Sequence, residues 1–231
     1  MIAALIRHGD YHQLADTPSA HQPFALTAAG EEQSRAAGRA LGAMLSREGW
    51  SLVPSIDCSR MLRSWQTARI IAEELKGQLP SEPLLESFDE LAERGLGSGA
   101  NLTIRQIEAI LREDPRFSDP PPDWKSNSHY RLPLQGAESL MDAGERVAAH
   151  IRQSLIALTQ EERKDRLKLF VGHGAAFRHA AYHLGLLEYG QITELSMYHA
   201  QPIFIEYRQN GQWCHIGGEW KVRAKRDRAL D

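Results

Sequence analysis

The sequence predicts an α/β fold, a three-layer α/β/α sandwich with helices on both faces of a mainly parallel central sheet. Three observations predict it. Apolar runs of strand length alternate with stretches of helical periodicity along most of the chain, as in crossover-connected parallel strands. Composition nowhere shifts in the manner of a linker and no segment repeats, so residues 1–231 are expected to form one domain. Two apolar runs, Ile2–Ile6 and Leu167–Val171, end in a histidine flanked by glycine, and open α/β sheets place ligands beyond the carboxyl ends of their strands.

The elements follow in order. Ile2–Ile6 is a short buried strand that stops at Arg7-His8-Gly9, and a polar loop with Pro18 and Pro23 comes next. Thr27 is a good N-cap, and Ala36, Ala37, Ala40, Leu41 and Met44 recur at helical spacing, which gives a helix from about 28 to 47 with Gly49 near its end. Ser55–Ser59 is a short strand, Arg60–Leu75 a helix, Leu84-Leu85 a brief strand, and Glu86–Glu93 an acidic loop. Thr103–Arg112 is helical again. Residues 114–136 form an irregular, proline-rich insertion carrying Trp124, His129, Tyr130 and Arg131. Long irregular loops inside a compact domain are often lids, so these four are expected to set specificity. Glu138–Leu158 is an amphipathic helix, Arg166–Val171 a strand, and Ala175–Leu184 a helix. The chain closes in strands, with Asn210-Gly211 between Ile203–Tyr207 and Trp213–Ile216 as a hairpin turn.

Composition narrows the function. With 42% hydrophobic residues, 25% charged residues and net charge −3, the chain is neither disordered nor built mainly for nucleic acid. The one basic cluster, Lys221, Arg223, Lys225, Arg226 and Arg228, reads as a solvated tail. Cys58 and Cys214 make no disulfide framework and fit a reducing cytoplasm. No leader and no run near the ~20 apolar residues of a membrane span stand in the sequence, so a soluble cytoplasmic protein is expected.

An arginine and a histidine at a strand exit set a planar cation beside a nucleophile, which suits phosphate chemistry. If the two histidine-ended strands are neighbours, His8 and His173 meet. Gly9, Gly172 and Gly174 allow close backbone approach there, and the helix after His173 offers N–H groups to an anion. Other signals are weaker. Gly95-Leu96-Gly97-Ser98-Gly99 lacks the spacing of either nucleotide-loop fingerprint. His179 and His183 have metal spacing but no Glu follows His179 and no third ligand is evident.

Arg7-His8-Gly9 resembles the signature of the histidine phosphatase superfamily, which includes phosphoglycerate mutases. The resemblance continues in order through Leu26-Thr27-Ala28-Ala29-Gly30-Glu31-Glu32-Gln33, Ser59 to Ala68, Leu91-Ala92-Glu93-Arg94-Gly95-Leu96-Gly97, and Gly172-His173-Gly174. It implies a phosphoglycerate mutase-like fold, with His8 as nucleophile and Arg7, Arg63 and His173 holding the phosphoryl oxygens. It also implies Glu93 as general acid and then base. Gly174, Arg94 and His199 are further candidates for phosphate or substrate contacts, and Arg60 competes with Arg63. A carboxyl donates a proton near neutrality only where burial or nearby negative charge favours its protonated form, and a bound phosphate dianion would supply that at Glu93. Glu86, Asp89 and Glu90 crowd the same loop.

The departures also inform. Phosphoglycerate mutases carry Ser-x-Trp-Asn shortly after Arg-His-Gly; here Asp10-Tyr11-His12-Gln13-Leu14 stands instead. The usual Trp-Glu-Gly after Glu93 is missing, and Tyr198-His199-Ala200-Gln201 replaces an Asn near the later strand. The expectation is therefore an acid-type histidine phosphatase, a phosphoric monoester hydrolase working without metal or other cofactor. The implied partners are a small phosphorylated substrate and phosphate as product, with no nucleic acid and no membrane; a homodimer is left open. Phosphoprotein phosphatase, phosphoglycerate mutase and a phospho-ligand-binding protein without turnover are the alternatives.

Overall fold

The computed structural model describes residues 1–18, 21–79, 82–159, 165–208 and 210–223. Strand β1 (Ile2–Arg7) is buried along almost its whole length, as an unalternating run of Ile, Ala and Leu requires of a strand covered on both faces. Helix α1 (Ala28–Glu48) starts where Thr27 accepts from the Gly30 N–H and ends where Gly49 turns left-handed at φ 69°. Strand β2 (Ser51–Ser59) starts four residues before the expected Ser55, with Leu52 and Val53 buried. A register shift between Leu52 and Ile56 accommodates Pro54. Helix α2 (Leu62–Glu74) follows. Strand β3 (Leu84–Phe88) takes in the first part of the expected acidic loop, and Asp89–Leu91 is a 3-10 turn. Helix α3 (Ile104–Glu113) is closed by a capping box between Thr103 and Gln106. Helix α4 (Leu140–Thr159), strand β4 (Arg166–Gly172) and helix α5 (Gly174–His183) match expectation closely. Helix α6 (Tyr189–Glu194), strand β5 (Leu195–Ser196), strand β6 (Pro202–Tyr207), strand β7 (Trp213–Gly217) and strand β8 (Lys221–Val222) complete the chain.

The main sheet runs β3-β2-β4-β1-β6-β7. The pairs β2–β3, β2–β4 and β1–β4 are parallel, while β6 is antiparallel to β1 and β7 to β6. Side chains alternate across it, as the period of a strand demands. Ile2, Ala4 and Ile6 pack with Leu41 of α1 and Ile71 of α2, whereas Ala3 and Leu5 pack with Ile151 of α4 and Phe177 of α5. Arg7 lies opposite Gly172 in the β1–β4 register, and the His8 N–H donates to the Gly172 carbonyl at 3.0 Å. The two histidine-bearing strand ends are thus adjacent.

Two expectations need correction. The insertion is irregular but not a loose lid. Leu96, Ile107, Leu111, Trp124 and Leu132 form a third apolar cluster, with Trp124 only 1% exposed and its indole N–H donating to Glu108 Oε1 at 3.1 Å. Trp124 anchors the insertion and cannot meet a substrate. His129 stacks on Tyr189, and Arg131 pairs with Asp142 at 2.6 Å. The basic tail is also not all solvated: Lys221 and Val222 pair with Ser196 and Leu195, and Arg223 is buried. Lys225, Arg226 and Arg228 lie outside the described residues.

Candidate active site

His8 sits just past β1, 2% exposed. Its Nε2 lies 3.1 Å from Arg63 Nε, and its Nδ1 lies 2.7 Å from the Gly9 carbonyl. A guanidinium only donates, so Nε2 carries the lone pair and Nδ1–H donates to Gly9. The same reasoning fixes His173. Arg63 Nη2 lies 3.3 Å from its Nδ1, so its Nε2–H donates to Ser59 Oγ at 3.0 Å. The two imidazole centroids are 5.1 Å apart.

Arg63 binds both rings from the first turn of α2, on the face it shares with buried Ser64 and Thr67. Its Nη1 donates to the Gln22 carbonyl at 2.8 Å, and its guanidinium lies 4.4 Å over the Tyr11 ring. Arg60, its rival, points to the surface and pairs with Asp89 at 3.1 Å. Arg7 donates from Nη1 to the Met197 carbonyl at 3.0 Å, but its buried Nε has no hydrogen-bond partner. A Cβ on Gly174 would come within 3.0 Å of Arg7 Cδ, so glycine gives that side chain room.

Burial, then the charges of Arg63, His173 and Arg7, hold the His8 imidazolium well below its ordinary range; the Gly9 carbonyl opposes this in part. His173 is lowered well below 6.5 by burial, then by Arg63 and more distant cations. Burial likewise lowers Arg63, with Tyr11 and Glu93 opposing. Both histidines are therefore neutral near pH 7, and His8 Nε2 is nucleophilic.

Glu93 is the buried carboxylate of its loop, at 7% exposure, while Asp89 and Glu90 face solvent and Glu86 is part of β3. Its Oε1 accepts from the N–H of Arg94 at 3.0 Å and of Ala176 at 3.1 Å, and its Oε2 from Ala175 at 3.3 Å. The N-terminus of α5, expected to face the substrate, is thus occupied largely by this side chain. Gly174 supplies the one N–H of its first three that Glu93 does not take. Arg94 is 6% exposed, its charge disfavoured by burial and supported by Glu93 and Glu138. The His199 ring centroid lies 5.7 Å from that of His8, with its Nδ1 3.9 Å from Asp10 Oδ1. Ala200, next to it, takes φ 54° and donates its N–H to the Arg7 carbonyl at 2.8 Å. Seven of the eight candidate residues thus gather at the joined ends of β1 and β4, and Arg94 adjoins them.

A model of the histidine phosphatase superfamily (branch 1) matches residues 3–216. The chain belongs to that superfamily. Among solved structures it is similar to a mycobacterial glucosyl-3-phosphoglycerate phosphatase, at 19% identity, TM-score 0.69 and coverage of 96% of this chain and 97% of that one. The same enzyme with inorganic phosphate matches at 19% identity and TM-score 0.64, covering 96% and 95%. The alpha-ribazole phosphatase of Shigella flexneri matches at 19% identity and TM-score 0.66, covering 100% and 98%. These likenesses establish the phosphoglycerate mutase-like fold of the superfamily. No curated protein matches the sequence.

The superfamily-like motifs also contain residues whose work is structural. Gln33 Oε1 accepts from the Asp10 N–H and Gln66 Oε1 from the Leu26 N–H, both at 2.9 Å. Thr67 Oγ1 accepts from the Gly9 N–H at 3.0 Å. Tyr11, edge-on to His8 at 5.2 Å, and Ser59, bonded to His173, were quoted within motifs but not singled out as site residues, because their side-chain types carry no catalytic signal of their own. The metal reading of His179 and His183 fails. His179 bonds the Ala175 carbonyl and Ser128 Oγ, and His183 bonds the Met141 carbonyl. Among the described residues no cluster of three metal-type side chains occurs and no helix is long and apolar enough to cross a membrane.

Proposed function

We propose that the protein is a metal-independent phosphomonoester hydrolase that acts through a phosphohistidine on His8. One observation carries this: His8 Nε2 keeps its lone pair in a buried pocket where Arg63, His173 and Arg7 converge. In the first step Nε2 attacks phosphorus and the ester oxygen leaves with a proton from Glu93. In the second, water gives a proton to Glu93 and attacks the phosphohistidine, releasing phosphate. Charge spread over the three phosphoryl oxygens is met by planar guanidinium forks in a site that excludes bulk water. The unpartnered Arg7 Nε supports this reading, since a phosphoryl oxygen would give it an acceptor.

Hydrolysis is favoured over mutase transfer by Tyr11, which stands over Arg63 and against His8 where mutases carry their Ser-x-Trp-Asn segment. Small phosphorylated metabolites are the proposed substrates, in line with the activities named for the similar structures. The test is rapid-quench trapping with a 32P-labelled phosphomonoester in the presence of chelator. Acid-labile label on the peptide carrying His8, absent in His8→Ala, is expected. Turnover by His8→Ala at the wild-type rate, or label on another residue, refutes the mechanism.

A further inference from the structure

Glu93 lies between the 3-10 turn Asp89–Leu91 and Gly95, in a stretch with little regular structure of its own. Its backbone is gripped from α4. Arg146 and Glu138 form a two-bond fork, Nε to Oε1 at 2.9 Å and Nη2 to Oε2 at 2.8 Å. The third guanidinium nitrogen, Nη1, donates to the carbonyls of Glu90 at 2.8 Å, Ala92 at 3.2 Å and Asp89 at 3.3 Å. On the other side of Glu93, Glu138 Oε2 accepts from the Gly95 N–H at 3.0 Å, and the Glu138 N–H donates to the Gly95 carbonyl at 2.8 Å.

A half-exposed ion pair contributes little to stability by itself. This one is about a quarter exposed on each side, and its spare bonding capacity goes almost wholly to the backbone flanking one carboxylate. Burial opposes the Glu138 charge, but the Arg146 fork and the Gly95 N–H outweigh it and hold the carboxyl below its usual range. The Glu138 carboxylate is therefore charged through the neutral range, and the fork stays closed.

We propose that Glu138 and Arg146 form a clamp that positions Glu93 for proton transfer. The inference rests on Glu93 being the proton carrier proposed above. Proton transfer is steeply sensitive to donor geometry. The α5 N-terminus holds the carboxyl group and His21 Nε2 lies 3.1 Å from the Glu93 carbonyl, while the clamp fixes the backbone on both sides of Glu93.

The test uses the specificity constant kcat/KM on two substrates. A nitrophenolate leaves without a proton, whereas an alkoxide requires one. Arg146→Met is expected to lower kcat/KM for propyl phosphate about 100-fold, the scale of a lost general acid, and for 4-nitrophenyl phosphate less than about threefold. Added to Glu93→Gln, it should cost less than about threefold more on propyl phosphate, because the clamp acts through that side chain. Glu138→Gln keeps the shape but removes the charge, and carries the same test should Arg146→Met not fold. Equal losses on both substrates, or a full further loss in the Glu93→Gln background, overturn the clamp. A selective loss in Glu93→Gln with none in the clamp variants overturns the clamp alone; no selective loss in Glu93→Gln itself overturns both the clamp and the assigned proton carrier.

Discussion

Lowering the pH from 7.5 to 5.5 should strip this protein of more than about 1 kcal/mol of stability, well before its carboxylates titrate. His8 and His173 are held well below 6.5 in the fold, and His179 is lowered to about 3, mainly by burial and then by Arg178. His179 stays neutral in the native state across this window and the fold favours the neutral form of His8 and His173, while in the unfolded chain each takes up a proton near pH 6.5. A depressed histidine contributes stability that is complete above the unfolded value and is lost as pH falls below it. For His179 the loss is about 1.4 kcal/mol at pH 5.5 and under about 0.1 kcal/mol at pH 7.5, and His8 and His173 act in the same direction. Asp57, Glu138 and Asp142, lowered in the fold, act in the same direction but at pH values nearer the ordinary carboxylate range. The assay is urea unfolding followed by tryptophan fluorescence at the two pH values. With a slope of at most about 3 kcal/mol per molar urea, the midpoint should fall by at least about 0.4 M. His179→Gln should remove about 1.4 kcal/mol of the difference between the two pH values, whatever it does to stability at either one. A change below about 1 kcal/mol in the wild type would refute the claim that these imidazoles are neutral in the fold. It would also remove the argument that His8 is a ready nucleophile.

Two other outcomes follow from the packing. Arg63→Lys keeps a charge but loses the fork that reaches His8, His173 and the Gln22 carbonyl together. It should lower kcat/KM on an aryl phosphate by about 100- to 1,000-fold, and a loss under about fivefold would contradict the assigned role. Trp124→Ala should cost about 3–5 kcal/mol, and Trp124→Phe, which removes the bond to Glu108, about 1 kcal/mol in addition to any repacking. Urea unfolding measures both, and limited proteolysis of Trp124→Ala should cut first between residues 97 and 136.

Much of the fold was legible because its central strands are simple. β1 and β4 are uninterrupted apolar runs buried on both faces, and the residue types at Thr27 and Gly49 mark the ends of α1. β5 and β8 were not legible, since two residues each carry no period. The choice between Arg60 and Arg63 turned on where α2 begins, because that phase puts Arg63 on the buried face with Ser64 and Thr67. Among the acidic residues of its loop, Glu93 was marked only by the resemblance of Leu91–Gly97 to a superfamily motif; neither periodicity nor charge singles it out, whereas its burial does. The α5 N-terminus was rightly seen to attract an anion, but a side chain from elsewhere in the chain supplies it. Trp124 was misplaced for a related reason: an aromatic in an irregular stretch gives no sign of whether it faces a ligand or its own small core.

The isolated bridge between Leu96 and Ala137 closes off a segment that holds α3 and the insertion. Gly97 at φ 58° and Gly136 at φ 80° make the turns there, and a Cβ on Gly97 would strike the Gln135 carbonyl at 2.2 Å. Entry and exit therefore share one doorway beside Glu93, and the apolar side chains beyond it pack largely on a cluster of their own, with ties to the rest of the protein at Ile104, Ser128, His129 and Arg131. Topologically, residues 97–136 are a cassette. Their length and surface can be exchanged without changing sheet register or crossover connections, because the two cut ends already meet. Grafting at this doorway offers a way to vary what approaches the phosphate pocket while leaving His8, Arg63 and His173 on an unaltered framework.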